Sequence, residues 1–190
     1  RYQETHSVPV LADFDQNGVL DLSISATYSG RPSDFYWGLG DGSFELDNYH
    51  AGVDVENGWC MAVADLDHDG DVDLAASGVV FENTGNGIEP GHWLQIRAIG
   101  NVDSNSLALG ATVRIQAAGK QWMRHVSGGN GQGCQDSSKL HFGLGDVIEV
   151  DAIEVDFPGG ETVTYMGPFS TDQSLLVYED GAVTEQDWAR

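Results

Sequence analysis

Positive charge is scarce in this chain: 8 Lys and Arg stand against 30 Asp and Glu over 190 residues, a formal net charge of −22. That scarcity argues against nucleic acid as a partner, because binding phosphate needs a basic face and none of the eight bases clusters with another. Anionic membrane surfaces are disfavoured for the same reason. No run of about 18 apolar residues occurs, so no segment reads as a membrane-spanning helix and no membrane insertion is expected. Cysteine is limited to Cys60 and Cys134, which suits one disulfide in an oxidising compartment or, equally, two free buried thiols. No Asn-x-Ser/Thr sequon is present, and no two histidines have the spacing of a helical zinc site.

What remains is ample for a core, since 41% of the residues are hydrophobic and the length suits one domain or two small ones. The acidic excess is uneven: residues 1–90 hold 17 acids and 2 bases, residues 91–190 hold 13 acids and 6 bases. The chain opens on Arg1 rather than Met and is expected to be a processed or trimmed product.

The excess is concentrated in Asp65-Leu-Asp67-His-Asp69-Gly70-Asp71-Val72-Asp73, echoed by Asp13-Phe-Asp15-Gln-Asn17-Gly18-Val19-Leu20-Asp21. Oxygen side chains at loop positions 1, 3, 5 and 9, with glycine at 6 for the bend, are what a hard cation such as Ca2+ takes. The predicted metal residues are Asp13, Asp15, Asn17 and Asp21 in the first loop and Asp65, Asp67, Asp69 and Asp73 in the second. Val19 and Asp71, at position 7, complete the two sets. Position 12 is Ile24 or Ala76, neither able to coordinate, so the helix-loop-helix calcium motif is excluded. The closing carboxylate is then Asp21 or Asp73. With four carboxylates against three and an Asn, the second loop is expected to bind Ca2+ more tightly. Acids packed this closely repel one another unless a cation sits between them.

The flanks of each loop alternate as short strands: Val8–Ala12 and Leu20–Ile24 around the first, Met61–Ala64 and Val72–Ala76 around the second. The loops begin 52 residues apart, at Asp13 and Asp65, and the segments that follow are alike: Tyr36-Trp37-Gly38 before one glycine-rich turn, Val80-Phe81-Glu82-Asn83 before the other. A period of this length made of short strands marks a propeller or solenoid. Beyond a linker read at Ile88–Gly91, alternating segments at Trp93–Ile99, Thr112–Gln116, Trp122–Val126, Val150–Phe157 and Ser174–Tyr178 predict an antiparallel sheet, folded as a sandwich. No helix is predicted, save one in the last few residues.

On these residues, the segment from about 6 to 90 resembles the FG-GAP or VCBS repeats of integrin-type propellers, whose blades carry calcium in Asp-x-Asp-x-Asp-Gly-x-x-Asp loops. Asn17 departs from that pattern at position 5 and keeps an oxygen there. Residues 92–180 resemble the ASPIC/UnbV domain that ends cartilage acidic protein-like secreted proteins. The resemblance is carried by His92-Trp93-Leu94, Leu109-Gly110-Ala111-Thr112-Val113, Leu140-His141-Phe142-Gly143-Leu144-Gly145 and Ile153 to Gly160, with Phe157-Pro158 where Trp-Pro is more usual. The expected class is all-β: two propeller-blade-like calcium-binding repeats at 1–90, a β-sandwich at 91–183 and a tail at 184–190.

No catalytic constellation emerges. His6, His50, His68, His92, His125 and His141 read as surface or packed histidines. Ser127–Gly133 lacks the Lys-Ser/Thr of a phosphate-binding loop, and carboxylate pairs are too frequent to single out a glycosidase dyad. Trp37, Trp59, Trp93, Trp122 and Trp188 read as packing residues rather than a sugar platform. The chain is therefore expected to be a secreted, non-enzymatic module, extracellular or at the cell surface, because weak calcium loops fill where calcium is millimolar. Two blades cannot close a propeller of four to eight. Their edges predict self-association into a homo-oligomer or filament, through a terminal segment such as Arg1–His6 or Thr184–Arg190, or adhesion to another extracellular protein. The alternative is a glycan- or ligand-binding module of a larger secreted protein.

Overall fold

Short alternating segments bury only one face each, so they pair into sheets that must then find a second layer. A computed structural model of the protein describes residues 6–28, 30, 32–56, 58–85, 91–131 and 133–186. Among these, fifteen strands and one four-residue helix make the chain all-β, as expected. The helix, α1 (Asn48–Ala51), was not anticipated. Asp47 caps it by accepting from His50 N, and Gly52 ends it in a left-handed conformation. Among the described residues no helix is long and apolar enough to cross a membrane.

The described residues divide into two compact units. Those of 1–15, 19–88 and 129–137 make the first, and those of 16–18, 89–128 and 138–190 the second. Two short segments are thus exchanged relative to a single break near residue 90. The linker read there lies, apart from Gly91, outside the described residues, as does the helix read at the C-terminus.

In the first unit, β1 (His6–Ala12), β2 (Asp21–Ala26), β3 (Asp34–Gly38) and β4 (Phe44–Leu46) form an antiparallel meander in that order. A second meander follows from β5 (Met61–Ala64), β6 (Asp73–Ala76) and β7 (Val79–Phe81). The two sheets share one core of Val8, Val10, Phe35, Val53, Val55, Met61, Leu74 and Ala76. Fully burying side chains of this size contributes about 1.5–3 kcal/mol each. Cys60 and Cys134, left open by the sequence, are joined by a disulfide that spans 74 residues. The segment carrying Cys134 lies along the free edge of β5, where Ser137 N donates to Val63 O at 3.0 Å and Val63 N to Asp136 Oδ1 at 2.9 Å.

The second unit is a sandwich of two four-stranded sheets. One has the order β10 (Lys120–His125), β9 (Thr112–Ala117), β12 (Glu149–Asp156), β13 (Thr162–Ser170). The other has the order β11 (Leu140–Gly145), β8 (His92–Ile99), β14 (Gln173–Tyr178), β15 (Val183–Glu185). The pairing is antiparallel except that β14 runs parallel to β8, because the chain enters β14 from the facing sheet rather than by a hairpin from β8. Leu94, Ile96, Val113, Ile115, Phe142 and Ile153 are fully buried between the layers. The segment read as a tail from residue 184 begins within β15, which pairs with β14.

One carboxylate of this unit is enclosed by the chain itself. Glu179 Oε2 accepts from the consecutive backbone N–H groups of Asn101, Val102, Asp103 and Ser104 at 2.8–3.1 Å, and Oε1 accepts from Ser104 Oγ at 2.7 Å. Burial alone would raise this acid, but the Ser104 hydroxyl and the N–H groups outweigh it and hold the carboxyl down at about 2.

Candidate metal centre

The two acidic loops, between β1 and β2 and between β5 and β6, share one backbone. In each, the fourth residue is left-handed without being glycine (Gln16 φ 58°, His68 φ 66°), and the sixth is a glycine at positive φ (Gly18 φ 92°, Gly70 φ 100°). A Cβ at position 6 would crowd the carbonyl in that conformation.

The ninth residue closes each loop by the same pair of bonds. Asp21 Oδ2 accepts from Phe14 N and Oδ1 from Gly38 N, both at 2.9 Å. Asp73 Oδ2 accepts from Leu66 N at 2.8 Å and Oδ1 from Asn83 N at 2.9 Å. Each closing Asp therefore ties its loop's second residue to the end of the third strand of its sheet. Both are buried.

That closure brings together carboxylate oxygens of Asp13, Asp15 and Asp21 within 4.8 Å of one another, and likewise those of Asp65, Asp67 and Asp73. Of the predicted carboxylates, Asp69 and Asp71 stand outside these triads. Asn17 is exposed and belongs with Gln16 and Gly18 to the second unit, in which Gly145 N donates to Gln16 O and Trp122 Nε1 to Gly18 O. Val19 is half-buried. Asp69 Oδ1 accepts from Asp71 N at 3.1 Å, and Asp67 Oδ1 from Asp69 N at 3.2 Å, which are turn contacts within the second loop.

The electrostatics follow from the crowding. Burial pushes Asp21 up to about 7, against the lowering pull of Gly38 N and Phe14 N, and the charge of Asp15 adds to the rise. Burial, then the charges of Asp69, Asp73, Asp67 and Asp65, push Asp71 up to about 8. Asp69 is raised by burial and by Asp67 and Asp65. Asp71 Oδ1 is buried and no donor reaches it among the described residues. An all-oxygen donor set of one charge fits a hard divalent cation and not the nitrogen and sulfur preferences of zinc or copper. The two triads can hold a metal ion.

Several of the described histidines and tryptophans have structural partners. His50 Nδ1 bonds Asp47, His92 Nδ1 lies 2.8 Å from Asp172 Oδ2, and His141 stacks on Trp93. Trp37 packs edge-on against Phe35, and Trp122 is buried in the sandwich core. Trp188 lies outside the described residues.

Gly38 and Asn83, which anchor the closing acids, escape any reading of loop spacing because they lie 17 and 10 residues downstream. Their signal was the likeness of Tyr36-Trp37-Gly38 to Phe81-Glu82-Asn83, which aligns the two residues.

Comparison with known families gives two matches: the FG-GAP-like repeat over residues 13–76, and ASPIC and UnbV over residues 101–184. Comparison with curated proteins finds no match. The first match contains both triads, and the second covers most of the sandwich. The chain therefore carries an FG-GAP-like repeat followed by an ASPIC and UnbV domain.

Proposed function

We propose that this chain is a secreted, non-enzymatic β module that binds two Ca2+ ions in its first unit and self-associates into an extracellular homo-oligomer or filament. The observation that carries the metal reading is the convergence of Asp13, Asp15 and Asp21, and of Asp65, Asp67 and Asp73, within 4.8 Å in loops of one conformation. Calcium bound there supplies the positive charge that lets the acids share a site. The chain's own part is to hold Asp21 and Asp73 in place by backbone N–H groups, so that each hairpin is rigid when loaded. At ten times its dissociation constant each ion adds about 1.4 kcal/mol by linkage. The Cys60–Cys134 disulfide and loops that fill at millimolar calcium both favour an extracellular setting.

Self-association draws support from the first sheet. Leu11, Leu22, Tyr36 and Leu46 are direct cross-strand partners, so they form one row on one face across all four strands. Leu11 is 51% and Leu46 56% exposed. The second sheet presents the complementary relief: Ala62, Ala75 and Val80 form a row of small side chains, with Val80 58% exposed. Large side chains of one copy against the small row of the next give a head-to-tail contact, which extends without closing unless the rotation forms a ring.

The test is particle size by light scattering and negative-stain imaging, in millimolar calcium and after chelation, for the natural chain and for Leu11→Asp with Leu46→Asp. Calcium-dependent assemblies that the double substitution dissolves are the expected result. A monodisperse monomer under all conditions overturns the assembly, and glycan binding by that monomer would establish the ligand-binding module instead.

A further inference from the structure

The closing acids of the two loops make equivalent hydrogen bonds, but the residues that complete them are not equivalent. Gly38 offers Asp21 a backbone N–H and nothing more. Asn83 offers Asp73 a backbone N–H and also carries an amide. Asn83 Nδ2 donates at 2.7 Å to the carbonyl of Phe14, the residue between Asp13 and Asp15 in the other loop. Its orientation is determined from both ends, since Nδ2 also reaches Val72 O at 3.4 Å while Oδ1 accepts from Gly85 N at 3.2 Å. Exchanging the amide N and O would lose all three contacts.

Phe14 is consequently held on both sides, its N–H by Asp21 and its carbonyl by Asn83. That carbonyl belongs to the planar peptide joining Phe14 to Asp15, so the amide of Asn83 sets the plane from which Asp15 extends toward Asp13 and Asp21. A continuous chain of bonds runs from Leu66 N through Asp73 to Asn83, and from Asn83 through Phe14 to Asp21.

From this geometry we infer that Asn83 is a positioning residue that couples the two cation sites, so that filling either loop raises the affinity of the other. The inference rests on reading both loops as calcium sites. A cation held by Asp65, Asp67 and Asp73 would lock Asp73 in place and with it the backbone of Asn83; the amide then fixes the Phe14–Asp15 peptide before the first loop is filled. By linkage the effect is reciprocal and equal in both directions. The device belongs to the second repeat alone, because Gly38 has no side chain to return it.

Calorimetric calcium titration of the full chain tests this, with Asp15→Asn and Asp67→Asn each disabling one loop. The product of the two affinities of the natural chain is expected to exceed the product of the two single-loop affinities by about 5-fold or more, the lower bound of ordinary site coupling. Two substitutions of Asn83 should bring that ratio to one while both loops still bind: Asn83→Gly, which copies Gly38, and Asn83→Asp, which keeps the acceptor for Gly85 N and turns a carboxylate toward Phe14 O. A merely structural Asn83 would lower the thermal midpoint in both variants and leave the ratio intact, which overturns the inference. A ratio of one in the natural chain overturns it as well, with the calcium sites left standing. Absence of calcium binding at either loop overturns the reading of the loops and this coupling together.

Discussion

In the first unit Asp13 and Asp21 are buried beside Asp15, and Asp73 is buried beside Asp65, with carboxylates facing carboxylates. In the second unit Glu179, 8% exposed, faces four backbone N–H groups and a hydroxyl. On β12, Glu154 and Asp156 share the guanidinium of Arg114 at 3.2 and 2.6 Å. The second unit thus meets these carboxylates with donors and a guanidinium, whereas the first, beyond the N–H groups that hold Asp21 and Asp73, gathers like charges within 4.8 Å of one another. The two stabilities should respond to different variables.

The largest expected effect sharpens that contrast from the side of the sandwich. Phe142 is fully buried between the layers, and Phe142→Ala should cost about 3–5 kcal/mol. Urea unfolding will measure the loss, and amide hydrogen exchange should place it in β8, β11 and β14. Equal acceleration of exchange in β1, β2 and β5 would break the contrast. Smaller is the effect of chelating calcium from a sample held at ten times the dissociation constants, about 1.4 kcal/mol for each ion removed. Here exchange should quicken in residues 13–21 and 65–73 and stay unchanged in β9 and β12; a uniform response would defeat the comparison.

A further effect is one of pH, and it concerns Glu179. Its folded value of about 2 lies below the ordinary 4.5, so its contribution is complete above pH 4.5 and is lost as pH falls from there toward 2. Acid unfolding of the second unit should steepen across that window in the natural chain. In Glu179→Gln the slope across the same window should shrink, and stability at neutral pH should already be lower. An unchanged slope would show that the N–H groups do not hold the charge.

Much of the fold was legible because period-2 alternation reports a one-sided burial that every half-buried strand needs. Val8 and Val10 against Pro9 and Leu11, or Val113 and Ile115 against Arg114 and Gln116, show it directly. The acidic triads were legible for a different reason, since ligands within nine residues are positioned by the local turn. Contacts that join distant segments were not. The Cys60–Cys134 bond, the pairing of Asp136 and Ser137 with Val63 of β5, the parallel entry of β14 and the enclosure of Glu179 by residues 101–104 depend on where the chain returns. α1 was missed although Asp47 and Gly52 bracket it, because four residues are too few for a helical period to show.

By itself the sequence determined the class of structure, the two repeats and the wider set of loop acids from which the two triads come, because alternation, glycine at the sixth position and carboxylates two residues apart act through the local backbone. The tertiary structure alone decided which groups hold those acids in place. Gly38 reaches Asp21, and Asn83 reaches both Asp73 and Phe14, only after the third strand of each sheet has paired, and a hydrogen bond across 69 residues leaves no mark in the spacing of either partner.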